Sequence, residues 1–178
     1  MSYTPTAYTD RNTVKRILRT VNNKVSFGSN PNDVMSNEDL DAYILDASRK
    51  IDATLMKVIG SVYIPLTDTY PEISYAAPRL AAFLVYRDLY QAYRYENLPM
   101  GPRGWIQDFS DDIKLFIENI NSGSYPGISA SVDGPSWQSI ERFLINKIGV
   151  SQVHDQLSIE TNQLSDTDSD NLGPWGDS

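Results

Sequence analysis

SNEDLDAYILDASRKIDATLMKVIG, residues 36 to 60, is the stretch on which the fold class turns. Its apolar side chains, Leu40, Tyr43, Ile44, Ala47, Ile51, Leu55 and Val58, recur mainly at spacings of three and four. A period of 3.6 residues gathers them on one face of a helix, whereas a strand would need alternation. Ser36 can accept a hydrogen bond from a first-turn amide, and Glu38 and Asp39 set negative charge at the positive end of the helix dipole. Gly60 supplies the stop. The pattern predicts a helix over 37–59, a rod of about 35 Å.

Towards the C-terminus, Ser61 to Leu66 reads as an extended connector, because Pro65 biases Ile64 away from helix. A second long helix is expected over 72–96, opened by Pro71 or by Pro78, the latter sitting in a first turn or kinking a helix already begun. It is apolar over most of its circumference (Leu80 to Tyr86, then Leu89 and Tyr90), so it should be buried on more than one side, centrally or between subunits. Asn97 to Pro102 breaks the pattern. A third helix over 103–122 carries Trp105, Phe109, Ile113, Phe116, Ile117 and Ile120, and ends at Gly123. Towards the N-terminus, residues 20–36 form an asparagine-rich loop. Before it, Asp10 caps a short helix over 11–19 with Val14, Ile17 and Leu18 on one face. Residues 124–135 are rich in Gly, Pro and Ser. Ser136 is then expected to cap, through its hydroxyl, a short helix over 137–148 bearing Trp137, Ile140, Phe143, Leu144 and Ile148, closed by Gly149.

These elements predict an all-α fold: a small helical bundle of three long helices plus short N- and C-terminal helices, with an extended C-terminal arm. The division expected is a helical domain over 1–123 and an arm over 124–178 that holds the 137–148 helix and an acidic tail. The core should centre on Ile44, Ile51, Leu55, Leu80, Phe83, Leu84, Phe109, Ile113, Phe116 and Ile117.

Composition limits the function. Hydrophobic residues make up 40% of the 178 residues and charged ones 21%, enough to bury the core of one ordinary domain. There is no cysteine, which removes disulfides, thiolate nucleophiles and zinc–cysteine sites. No signal peptide is expected at the N-terminus, and the longest apolar run, Leu80 to Tyr86, is far short of the ~20 residues that span a bilayer. The formal charge is −8. Six acids (Asp155, Glu160, Asp166, Asp168, Asp170 and Asp177) lie in residues 150–178 with no Lys or Arg, while residues 1–149 hold fifteen basic against seventeen acidic side chains. Such a chain has no overall electrostatic drive towards DNA or anionic membranes.

No catalytic residue, cofactor or metal is expected. His154, the single histidine, lies in the polar tail, and a triad base must be held inside a packed site. Asp108, Asp111 and Asp112 share a helix face and invite a divalent cation, but acidic residues near a helix N-terminus are more often there for the dipole. Glu38, Asp39 and Asp41 admit the same two readings. Gly101-Pro102-Arg103-Gly104 is too short for a phosphate loop, and its proline removes a needed N–H. Tyr86, Tyr90 and Tyr93, interleaved with Arg87 and Arg94, would suit stacking on single-stranded nucleic acid. A half-dry protein interface is the preferred reading.

One resemblance runs through these elements. Leu40…Ile44…Ala47-Ser48-Arg49-Lys50-Ile51-Asp52…Leu55, then Tyr63-Ile64-Pro65-Leu66, then Pro71 and Leu80-Ala81-Ala82-Phe83-Leu84-Val85-Tyr86-Arg87, resemble in order and spacing the head–tail connector (adaptor, or head completion) proteins of tailed bacteriophages. The likeness covers about residues 37–122. It implies a structural protein of the virion neck, assembled in the host cytoplasm. Such a protein forms a twelve-membered ring of identical subunits that docks on the portal protein, extends the channel through which genomic DNA passes, and presents a face to the stopper or tail. It also implies that C-terminal segments reach the portal. The candidate portal or subunit contacts are Trp137, Ile140, Phe143, Leu144, Tyr86, Tyr90 and Tyr93. On this reading the arm leaves the bundle, and truncation after Gly123 should leave the melting temperature nearly unchanged. The alternatives are a helical protein-binding or regulatory module that mimics DNA and, less favoured, a metal-dependent all-α nucleotide hydrolase.

Overall fold

The computed structural model describes residues 3–22, 26–28, 30, 33–130 and 134–150. Five α-helices account for nearly all of its regular structure: α1 (Arg11–Val21), α2 (Asn37–Ile59), α3 (Pro71–Tyr90), α4 (Met100–Asn121) and α5 (Trp137–Ile148). The loop between α1 and α2 also holds a parallel pair of two-residue strands, β1 (Phe27–Gly28) and β2 (Met35–Ser36), which the sequence pattern did not announce. The fold is all-α.

The stretch 37–59 is helical as read. Ser36 Oγ accepts the Asp39 amide at 3.0 Å, and Gly60 ends the helix at φ 80°. Asp10 caps α1 through the Asn12 and Thr13 amides, at 2.8 and 3.1 Å. Ser136 stands at the start of α5 but its side chain caps no backbone amide; its hydroxyl lies 3.1 Å from that of Ser139 instead.

Helix α3 is the centre of the molecule, packed against α4, α2 and α1. Pro71 opens it, and Pro78 stands buried in its interior without ending it. Because α3 is enclosed by its own chain, every residue from Leu80 to Tyr86 is buried. The helix is shorter than the expected 72–96. It stops at Tyr90, with Gln91 left-handed (φ 51°) and the Gln91 and Ala92 amides both turned onto the Arg87 carbonyl. Residues 95–98 belong to another structure: Tyr95–Asn97 form a 3₁₀ turn, and Arg103 Nη2 donates to the carbonyls of Tyr95, Glu96 and Leu98. Helix α4 begins three residues earlier than expected and takes Gly101 and Pro102 into its first turn. Proline is tolerated there because the first amides of a helix have no intrahelical partner. A Cβ on Gly101 would stand 2.7 Å from a Val21 methyl at the end of α1, so a larger residue there would push Val21 aside.

All ten residues expected in the core are buried. Helix α5 does not leave the bundle. It packs on α2, and Ile140, Leu144, Ile148 and Val150 join the same hydrophobic cluster as Ile51 and Phe116. The reason is the apolar stripe of α5: a twelve-residue helix is not stable alone in water, and the nearest apolar face that can cover it is its own chain's. Residues 151–178, with the acidic tail and His154, lie outside the described residues.

Candidate functional site

The seven side chains expected to form contacts separate into two groups on α5 and α3. On α5, Ile140 and Leu144 are each 2% exposed and face α2, so they are filled positions of the core. Trp137 and Phe143 stay half-buried. Trp137 lines a cavity with Val58, Lys114, Ile117 and Ala130. Phe143 is flanked by two ammonium groups, Lys57 at 3.5 Å and Lys147 at 5.3 Å from its ring centre. A ring so placed is held by cation–π attraction and still offers an edge to solvent.

On α3, Tyr86 is buried, 4.6 Å from the Tyr90 ring and edge-on to Trp105 at 6.2 Å. Tyr90 is exposed, and its hydroxyl accepts from Asn22 Nδ2 at 2.9 Å. Tyr93 lies beyond the helix end and faces the Arg87 guanidinium at 5.6 Å. The expected i, i+4, i+7 stripe is therefore broken after its second member, and the three rings do not form one stacking surface.

Arg87 joins the two groups. Its Nη1 donates to the Ile148 carbonyl at the end of α5, and its Nε pairs with Asp88 at 2.7 Å. Asp88 in turn accepts from the Tyr43 hydroxyl at 3.0 Å. Burial, and then this bond to a carboxylate, push the Tyr43 phenol up to about 12. The result ties α2, α3 and α5 together at one end of the bundle. Sequence reading noticed Arg87 only as a basic residue between tyrosines, because its carbonyl partner is sixty-one positions away.

Two buried carboxylates were missed. Asp52, 1% exposed, accepts the hydroxyls of Tyr3 (2.5 Å) and Tyr8. Tyr8 also donates its amide to Ser48 Oγ at 3.1 Å, and its hydroxyl oxygen accepts the Leu66 amide at 2.9 Å. The N-terminal segment is thereby fastened along α2. Glu72, 6% exposed, accepts from Asn119 Nδ2 at 2.5 Å and from the Tyr125 hydroxyl at 2.7 and 2.8 Å. Both are acids on helix faces that otherwise read as apolar; that misplacement was the available signal.

The acidic clusters considered for metal have other partners. Asp112 and Asp108 take Arg79 at 2.6 and 3.3 Å, Asp111 takes Gln107 at 3.2 Å, Asp41 takes Arg11, and Asp39 takes the Ser36 hydroxyl. Among the described residues no group of three or more His, Asp or Glu is arranged to hold a metal ion, and no helix is long and apolar enough to cross a membrane. No protein-family model matches the chain, and no curated protein and no solved structure matches it.

Proposed function

We propose that this chain is a non-catalytic structural protein of the tailed-bacteriophage neck. It is a head–tail adaptor that closes into a ring of identical subunits, twelve in the family it resembles. The ring docks on the portal protein, continues the DNA channel without reading sequence, and offers its other face to the stopper or tail. The observation that carries this reading is a convergence. Ala47, Ser48, Ile51 and Asp52, which bear the resemblance in α2, are all buried on its inner side. Ser48, Asp52 and Leu66 all bond to Tyr8. Motif residues separated in sequence thus act as one unit, which favours reading them as the mark of one architecture.

A head-to-tail ring needs two different faces on each subunit. The apolar stretch of α3, Leu80 to Tyr86, is covered by its own chain and supplies neither. Better suited are Val62 and Met100, 89% and 84% exposed. The pairings Glu72–Asn119 and Tyr86–Trp105 make α3 and α4 antiparallel, so Val62, just before α3, and Met100, at the start of α4, lie at opposite ends of the bundle.

The deciding experiment is mass measurement of the full-length chain with and without its cognate portal. A ring-sized increment on the portal is expected. Failure to co-assemble overturns the proposal, whereas a free monomer alone leaves it standing, because the portal can template the ring.

A further inference from the structure

Helix α1 carries Arg11, Lys15, Arg16 and Arg19 and no acidic residue, while α2 and α4 each hold more acids than bases. Two of the four are engaged by neighbours: Arg11 pairs with Asp41, and Lys15 donates to Asn37 at 2.7 Å. Arg16 and Arg19 are exposed and make no ion pair with a described residue. Arg16 lines a groove of about 380 Å³ between α1, α3 and α4, together with Ile17, Pro78 and Trp105. Tyr75, 62% exposed, stands at its edge beneath the Arg79 guanidinium, 6.0 Å from its ring centre, and Arg79 pairs with Asp108 of α4. An apolar lining beside free guanidinium groups suits a peptide that carries both apolar and acidic side chains. A phosphodiester backbone would use the cations, but it would leave the apolar wall uncovered.

The chain contains such a peptide. Residues 151–178 hold six acids, no Lys or Arg, and Leu157, Ile159, Leu164, Leu172 and Trp175. The segment also starts in a suitable place. Arg87 bonds the Ile148 carbonyl, and one turn further along α3 Tyr90 bonds Asn22 at the end of α1. Val150 and the C-terminal end of α1 therefore lie at the same end of the bundle. The 28 residues can span up to about 90 Å, against about 16 Å for the whole of α1. Tethering adds an effective concentration on the order of millimolar.

We infer that the acidic segment 151–178 folds back within its own chain and docks in the groove between α1, α3 and α4. Its carboxylates pair with Arg16 and Arg19, and its apolar side chains lie on Ile17, Pro78 and Trp105. A partner that binds either the segment or the groove must then compete with this internal contact.

Because the chain has no cysteine, Ser165→Cys gives a single site for a nitroxide label on the full-length protein. The expected result is selective loss of amide NMR intensity at Arg16, Ile17, Thr20, Tyr75 and Arg79. The loss should shrink at about 1 M salt, where the screening length is about 3 Å. It should disappear in the double variant Arg16→Glu, Arg19→Glu and persist in Arg16→Lys, Arg19→Lys; the spectra themselves report whether each variant is folded. The inference is overturned if no intensity is lost, or if the loss falls on another surface. It is equally overturned if the loss arises only between spin-labelled and isotope-labelled chains in a mixture, which would make the occupant a second copy. A short DNA duplex that shifts these amides while the label leaves them untouched would assign the groove to nucleic acid instead.

Discussion

Asp52 shows how much one misplaced polar residue organises. It occupies an inner position of α2, bonded to no cation among the described residues, and two tyrosine hydroxyls are its partners. Asp52→Ala leaves the Tyr8 hydroxyl without its acceptor, so a cost of about 1–3 kcal/mol is expected at neutral pH, read as a lower urea midpoint at unchanged m. Burial raises the Asp52 carboxyl above the ordinary carboxylate value, and the two hydroxyls only partly offset this. A group raised on folding contributes stability that is full below its unfolded value and is lost as pH rises through its folded one. The stability of the native protein relative to Asp52→Asn should therefore fall as pH is raised above the ordinary Asp value of about 3.9. A difference that grows over that range contradicts this account.

At the scale of elements, caps and packing fix where helices end. Ile51 is completely buried at the middle of α2, so Ile51→Ala should cost about 2–5 kcal/mol in equilibrium unfolding. A loss well under 1 kcal/mol would mean that α2 buries a different face. Gly149 closes α5 at φ 72°, and a Cβ there would meet Arg87 Nη1 at 2.9 Å. Gly149→Ala should cost about 1–2 kcal/mol from the left-handed backbone. It should also displace the guanidinium from the Ile148 carbonyl, visible as a shifted Arg87 side-chain resonance. Helix α3 teaches a related point. It ends before the expected break at Asn97, because the chain turns at Gln91 and residues 95–98 are held under Arg103.

For the whole molecule, the position of α5 reverses one expectation. Truncation after Gly123 removes Ile140, Leu144 and Ile148, each no more than 2% exposed, from a core they share with α2. At about 1.5–3 kcal/mol per buried aliphatic side chain, the loss amounts to several kcal/mol. The truncated chain should melt far lower, or fail to fold, in calorimetry; an unchanged melting temperature would show that α5 is dispensable to the core. Ring closure is tested at the two ends of the bundle. Val62→Asp and Met100→Asp should leave the monomer's melting temperature nearly unchanged, because both side chains already face solvent, while preventing rings from forming on the portal.

The sequence by itself determined the helices and the composition of the core. Apolar spacing of three and four depends only on local geometry, and Ser36, Gly60, Asp10 and Gly149 mark ends through their own backbone and side-chain chemistry. It also supplied the candidate contact residues as a set, but not their surroundings. Only the tertiary structure decided that Ile140 and Leu144 are core, that Leu80 to Tyr86 of α3 are covered within the subunit, and that Arg87, Asp52 and Glu72 each fasten distant segments. These outcomes depend on pairings across forty to more than sixty positions. Local periodicity carries no information about such pairings, because it states which face of a helix must be covered and not what will cover it.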